Sequence, residues 1–454
     1  MATETSKRGI WNSRIGFVFA AAGSAVGLGN IWRFPYVTGE SGGGAFVIIY
    51  LICVALICVP YLFAELSLGR HHQRNPVGAI KAITGPSGWL LVGGLCVVAG
   101  MMILSYYSVV AGWAIGYVAK DVIAPHTSFE EFIASPGMVI TLLALFLGLT
   151  LYVVIGGVQQ GIERWAKVLM PMLVVLMFVV IIRSVTLEGA AEGISFYLYP
   201  DFSEVGFQTI MVALGQAFFS LSLGMGTMIT YGSYLPKREN ILNSGGYVAV
   251  FDTSIAILAG FMIFPAIFAL GFDPAHGPAL VFVILPEVFA EMPLGGLVGV
   301  LFFLLLSIGA LTSSISLLEV VVAYFIDEKK WSRKKSVLTI GILAFILAIP
   351  SALSQGATGF LSDMSYLFGE EGLFGQNDFL SILDFFFGSL FLAVGAFFIS
   401  IFVGWVWGAH YAAEEIQQGS SFGGTLMKVW IFMLRYICPA FIFIVIMGML
   451  FDII

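Results

Sequence analysis

The stretch Ala21-Ala-Gly-Ser-Ala-Val-Gly-Leu-Gly-Asn-Ile-Trp-Arg-Phe-Pro-Tyr36 lies in an apolar run long enough to cross a bilayer, yet it carries Gly23, Gly27 and Gly29 around Ser24 and Asn30. An interior glycine weakens a helix by about 1 kcal/mol relative to alanine, so this density makes an unwound point accessible. A second run, 207–234, repeats the arrangement, with Gly215, Gly224 and Gly226 around Ser220 and Ser222. Alone, either run reads as a packing surface, because glycine is common where membrane helices approach closely. Together they read as a site. Unwound backbone at membrane depth is tolerated only where protein or a water-filled cavity covers it, and matched interrupted segments mark the binding centre of a transporter.

Around these runs, 59% of the 454 residues are hydrophobic, 10% are charged, and the mean hydropathy is +1.00. That much apolar surface cannot be hidden inside a water-soluble shape, so lipid is the solvent for most of the chain. The apolar runs are roughly 18 to 30 residues long and match a spanning helix, which needs about 20. The short alternating segments of a β-barrel are not seen. Polar breaks divide the chain into about eleven spans, at 15–38, 44–69, 88–119, 138–156, 166–185, 207–234, 245–270, 295–326, 336–352, 379–409 and 429–451, numbered 1 to 11 below.

Lys7, Arg8 and Arg14 before a run ending in small residues imitate a signal peptide. The run continues directly into Gly27-Leu-Gly-Asn30, so 1–14 is read as a cytoplasmic segment and 15–38 as the first span. Alternate loops carry Lys7, Arg8 and Arg14, then Arg70, Arg74 and Lys81, Arg164 and Lys167, Lys237 and Arg238, Lys329 to Lys335, and Lys428. The opposite loops are mainly acidic, with Glu130, Glu131, Glu188, Glu192, Asp273, Glu287, Glu291, Asp363, Glu370 and Glu371. The positive-inside rule then predicts a cytoplasmic N-terminus, and an odd span count an external C-terminus. The expected fold is an all-α membrane protein with an inverted 5+5 core, broken in spans 1 and 6: halves 15–185 and 207–409, with 429–451 as an additional span.

An ionisable group at the centre of a span costs about 2.5–3.5 kcal/mol on insertion scales, so each needs a partner or a function. Arg33, Glu65, Asp252 and Glu319 qualify. Span 8 also holds Thr312-Ser313-Ser314-Ile-Ser316, and Thr312, Ser316 and Glu319 share a helical face by their spacing. One hydroxyl would bond back to the preceding turn. A cluster of hydroxyls with a carboxylate and freed carbonyls offers the hard oxygen donors that an alkali or alkaline-earth cation needs. Half-helix N-termini at the breaks offer amides to a carboxylate. Cys53, Cys58, Cys96 and Cys438 all lie in apolar runs and read as buried thiols rather than a disulfide framework or metal site. No HExxH, no paired intramembrane aspartates and no GxxxxGK[ST] occur, which argues against an enzyme and against a nucleotide-driven pump.

Residues 21–36, Ser41-Gly-Gly-Gly-Ala-Phe46, Gln216-Ala-Phe-Phe-Ser-Leu-Ser-Leu-Gly224 and Leu311-Thr-Ser-Ser-Ile315 resemble the neurotransmitter:sodium symporter family, in particular its bacterial leucine and multi-substrate hydrophobic amino acid transporters. The resemblance implies two sodium ions. One would be held by the Ala25 carbonyl, Asn30, Ser220, Asp252 and the substrate carboxylate. The other would be held by carbonyls of Gly23, Val26 and Gly309 with the hydroxyls of Thr312 and Ser313. The substrate backbone would lie along Gly27, its carboxylate on the amides of Leu28 and Gly29 and on Tyr107. Its amine would meet carbonyls of Ala25, Phe219 and Ser220 and the Ser222 hydroxyl, and its side chain Ile103, Phe219, Met225 and Leu317. An outer gate of Arg33 and Asp384 and an inner gate of Arg8 and Asp327, braced by Trp11 and Tyr234, are implied as well. Glu65 would satisfy the unwound backbone of span 6. Animal members need chloride near Tyr50, Gln216 and Ser220. Asp252 and Ala256 replace their Asn and Ser, which implies no chloride requirement.

A pocket of Ile, Phe, Met and Leu selects an apolar side chain, and Met225 between two glycines predicts breadth, from aliphatic to aromatic amino acids. Alternating access would move spans 1, 2, 6 and 7 against spans 3, 4, 8 and 9, with Gly161 and Pro171 weakening span 5 near the cytoplasm. The expected setting is a bacterial inner membrane, as a monomer or weak homodimer, with no nucleic acid partner. A non-transporting amino acid sensor with the same binding residues is the alternative.

Overall fold

The computed structural model describes residues 9–203, 205–274, 280–369, 372–419 and 424–451; Lys7, Arg8, Glu370 and Glu371 lie outside them. Among the described residues nine helices are long and apolar enough to cross a membrane. These are Gly44–His72, Leu90–Val118, Pro136–Ile155 and Val158–Val185 (spans 2 to 5), Ile241–Ala269, Gly295–Lys329, Arg333–Leu353 and Phe379–Gln417 (spans 7 to 10), and Gly424–Leu450 (span 11). Span 1 is a bent pair, Arg14–Ala25 and Gly29–Glu40, at 50°. Span 6 is split into Phe207–Ser220 and Thr227–Gly232, each too short to cross alone.

Both breaks fall at the glycines. In span 1 the helix stops as Val26 turns extended, at φ −74° and ψ 101°. In span 6 Ser222, Gly224 and Gly226 all have positive φ, of 53°, 81° and 76°. Glycine adopts that region without strain. Gly224 has a second reason: a Cβ there would stand 2.5 Å from the Leu392 carbonyl oxygen.

Local signals start several helices. Ser13, Asn240, Ser332 and Asp378 each place a side-chain oxygen on a first-turn amide of spans 1, 7, 9 and 10, replacing a bond the helix cannot make for itself. The inner half of span 1 packs among spans 5, 7 and 8. Span 8 lies along span 3, and the two halves of span 6 lean on the two halves of span 2. The breaks of spans 1 and 6 therefore meet at the centre of the bundle.

Some helix ends differ from the polarity-based boundaries. Span 5 begins at Val158 rather than 166, because Glu163 is buried. It accepts the Ser13 hydroxyl (2.9 Å), the Asn12 amide (2.8 Å) and the Lys167 ammonium (2.7 Å). Spans 2 and 10 extend to His72 and Gln417 because their polar ends bury each other. Arg70 is 0% and Glu415 1% exposed, with Nε to Oε1 at 2.7 Å, and Lys237 and His71 complete the carboxylate's shell at 3.1 and 2.8 Å.

Removing one partner of such a pair strands a buried charge, at a cost of about 3–5 kcal/mol, whereas apolar replacement of both is close to neutral. Glu415→Ala is therefore expected to lower the thermal midpoint of the purified protein sharply, and Arg70→Met with Glu415→Leu to recover most of the loss. A midpoint unchanged in Glu415→Ala would show the cluster to be dispensable.

Candidate substrate and cation site

The two breaks, with spans 3 and 8, surround a small cavity of about 20 Å³ lined by Ser24, Ala25, Gly27, Gly29, Ile103, Tyr107, Phe219, Ser222, Met225, Ser313 and Leu317. Its polar lining is backbone and hydroxyl, and its apolar lining includes Ile103, Phe219, Met225 and Leu317. The Leu28 amide donates to the Tyr107 hydroxyl at 3.2 Å, so these two expected carboxylate contacts already lie side by side. Glycine is required sterically at two points. A Cβ at Gly27 would stand 2.3 Å from Ser313 Oγ and 2.6 Å from the Tyr107 hydroxyl oxygen, and one at Gly29 would stand 2.9 Å from Phe219 Cδ1.

Beside the cavity, Asp252 is fully buried. Its carboxylate accepts Asn30 Nδ2 at 2.8 Å and the Ser220 hydroxyl at 2.9 Å, and the Tyr50 hydroxyl donates to Ser220 at 3.2 Å. Asn30 Oδ1 and Gln216 Oε1 are buried with no hydrogen-bond partner among the described residues. Unpaired buried oxygens are costly, and a small cation would satisfy them. On the span 8 side, Thr312 Oγ1 lies 2.9 Å from the Gly309 carbonyl oxygen and 3.4 Å from that of Val26. Ser313 Oγ donates to the Ser24 carbonyl at 2.9 Å, and Gly23 packs against Thr312. The two oxygen clusters, from residues scattered between 23 and 313, thus flank one cavity.

Several expected positions take other partners. Ser222 Oγ donates to the Ser24 carbonyl at 2.9 Å. Glu319, read as part of the oxygen-rich face of span 8, is paired with Arg333 and accepts the Tyr234 hydroxyl at 2.6 Å. Arg333 starts span 9 and lies 14 residues on in the chain, so the carboxylate turns away from the hydroxyls toward the end of the bundle where span 9 begins. Glu65 accepts the Gly224 amide at 3.0 Å and the Tyr61 hydroxyl at 3.2 Å, as expected of an acid serving unwound backbone. The burial of Glu163 and the pairing of Arg70 with Glu415 were not readable from the sequence, where all three charges stand in polar stretches between apolar runs.

Arg33 and Asp384 line a second cavity of about 440 Å³ that also reaches Tyr107 and Phe219, with Trp113, Phe129 and Phe282 in its wall. The Arg33 guanidinium lies over the Phe219 ring at 5.1 Å and is not within ion-pair distance of Asp384 among the described residues. At the other end, Trp11 donates its indole N–H to the Tyr231 carbonyl at 3.0 Å and its amide to that of Tyr234 at 3.1 Å. Asp327 accepts the Asn75 backbone and side-chain amides at 2.9 and 3.0 Å. Arg8, the expected partner of Asp327, lies outside the described residues.

A multi-pass helical bundle with two broken spans meeting at oxygen donors is the architecture of a secondary transporter rather than of an enzyme. The profile of the Sodium:neurotransmitter symporter family matches residues 8–126 and 125–453. The chain is 40% identical to the sodium-dependent transporter YhdH of Bacillus subtilis, covering 97% of each. It is 35% identical to a sodium-dependent transporter of Haemophilus influenzae, covering 99% of this chain and all of that one. The crystal structure of MhsT in complex with L-phenylalanine superposes with a TM-score of 0.87 at 43% identity, covering 97% of this chain and 100% of that one. The chain belongs to the sodium:neurotransmitter symporter family and is a sodium-dependent symporter.

Proposed function

We propose that this symporter couples inward sodium flow to the uptake of hydrophobic amino acids, aliphatic and aromatic, without chloride. The observation that carries the reading is the cavity itself, lined by backbone, hydroxyl and apolar groups with no charged side chain. A charged substrate side chain would find no partner there and would leave its own desolvation unrepaid. MhsT, whose crystal structure holds L-phenylalanine, supports the same class. Ala25, Asn30, Ser220 and Asp252 would take one sodium ion together with the substrate carboxylate, making coupling a direct contact. Gly23, Val26, Gly309, Thr312 and Ser313 would take the second.

A cavity of this size has room for about one water molecule, so a leucine or tryptophan side chain enters only as spans 1 and 6 part from spans 3 and 8. Movement of spans 1, 2, 6 and 7 against spans 3, 4, 8 and 9, drawn from both five-helix halves, 15–185 and 207–409, with 429–451 outside the core, would supply that opening from alternate sides. The basic loops support a cytoplasmic N-terminus, and the bacterial relatives support an inner-membrane setting. In span 5, a wide helical turn over Val158–Glu163 precedes Pro171, and unwinding there would admit water to Thr312 and Ser313. Hydrogen exchange over 161–171 is expected to slow when sodium is added, and equal protection would refute the unwinding.

Uptake of labelled leucine or tryptophan into proteoliposomes tests the whole reading. Accumulation should require an inward sodium gradient and be indifferent to replacing chloride by gluconate. Binding without sodium-driven accumulation would instead make the protein a sensor.

A further inference from the structure

On the lipid-facing side of spans 10 and 11, Arg435 stands inside an apolar helix with most of its donors unused. Its Nε donates to the Gly404 carbonyl at 2.8 Å, and its guanidinium carbon lies 5.4 Å from the centre of the Trp405 ring. Nη1 and Nη2 have no protein partner among the described residues. A charge in a span is costly unless paired, so these donors demand an acceptor.

The surroundings are built for close approach. Both helices widen to π-helical turns at this point, over Phe402–Gly408 and Met433–Ile437, and such turns recur at functional sites. Arg435 packs directly against Gly404: a Cβ there would touch Arg435 Cγ at 3.4 Å. The Trp405 ring meets the Tyr436 ring edge-on at 5.5 Å, and the two side chains are 54% and 49% exposed. Aromatic side chains with one apolar and one polar edge favour the headgroup boundary.

Depth follows from span 10. The break of span 6 lies beside Ala396, which a Cβ on Gly224 would touch. Gly404 is eight residues further toward the end bearing Glu415, about 12 Å along the helix. Half the hydrocarbon thickness is about 15 Å. Arg435 therefore sits where acyl chains give way to phosphates.

We propose that Arg435, beside the Trp405–Tyr436 aromatic pair, binds the phosphate of an anionic phospholipid in the leaflet on the Glu415 side. A guanidinium fork matches phosphate geometry in a way an ammonium does not, and basic recesses between spans at this depth suit lipid headgroups. In the orientation proposed above this is the cytoplasmic leaflet, but the binding itself does not depend on that orientation or on the transported substrate.

Native mass spectrometry of the purified full-length protein with phosphatidylglycerol, phosphatidylcholine or inorganic phosphate tests the site. The unaltered protein should bind phosphatidylglycerol about tenfold more tightly than phosphatidylcholine, and excess inorganic phosphate should not displace it. Arg435→Gln should bind both lipids alike. If that variant fails to fold, Arg435→Lys, which keeps the charge but not the fork, should cut the preference to about threefold. Equal binding of the two lipids by the unaltered protein, displacement by inorganic phosphate, or full preference retained in either variant would overturn the proposal.

Discussion

Asp252→Asn is expected to reduce chloride-free, sodium-driven uptake by at least about a hundredfold. The carboxylate is fully buried, and both of its oxygens accept hydrogen bonds, from Asn30 and Ser220. An asparagine keeps the shape but removes the negative charge and replaces one acceptor with a donor. That donor would face either the Asn30 amide or the Ser220 hydroxyl, each of which already donates. Losing one charge from a buried pairing costs about 3 kcal/mol or more, which is a hundredfold in sodium affinity. The family's animal members carry Asn at this position and use chloride, so adding chloride should restore part of the uptake. Transport assays in chloride and in gluconate distinguish the outcomes. Unchanged uptake in gluconate would remove Asp252 from the cation site.

Gly27→Ala should abolish measurable amino acid binding, through a single methyl group. The added Cβ would lie 2.3 Å from Ser313 Oγ and 2.6 Å from the Tyr107 hydroxyl oxygen, far inside contact distance. Ser313 cannot swing away without giving up its bond to the Ser24 carbonyl, nor Tyr107 without losing the Leu28 amide. Each displaced bond costs about 1 kcal/mol, and the methyl also fills the space proposed for the substrate backbone. We expect leucine binding weakened more than a hundredfold by scintillation proximity. The thermal midpoint without substrate should move far less than in Glu415→Ala, because the backbone at residue 27 needs no unusual φ. Binding within threefold of the unaltered protein would mean that the substrate lies elsewhere.

Much of this protein was legible along the chain. Hydrophobic run length alone specified the spans, since a bilayer of fixed thickness demands a fixed number of apolar residues per crossing. Glycine density located both breaks, because helix weakening is a local property of backbone entropy. Family motifs located the residues around the cavity, including Gly27 and Asp252.

Partnership was not legible. Glu319 shares a helical face with Thr312 and Ser316, yet binds Arg333 of the next span. Arg70 was read as a loop charge, yet is buried against Glu415, 345 residues away. Glu163 was taken as part of a polar break, yet caps the entry to span 1 through Ser13. Periodicity says which face of a helix a side chain occupies, and hydropathy says how deep the helix sits. Neither says which other helix meets that face, and in a low-dielectric interior that meeting decides whether a carboxylate holds an arginine, a backbone amide or a cation.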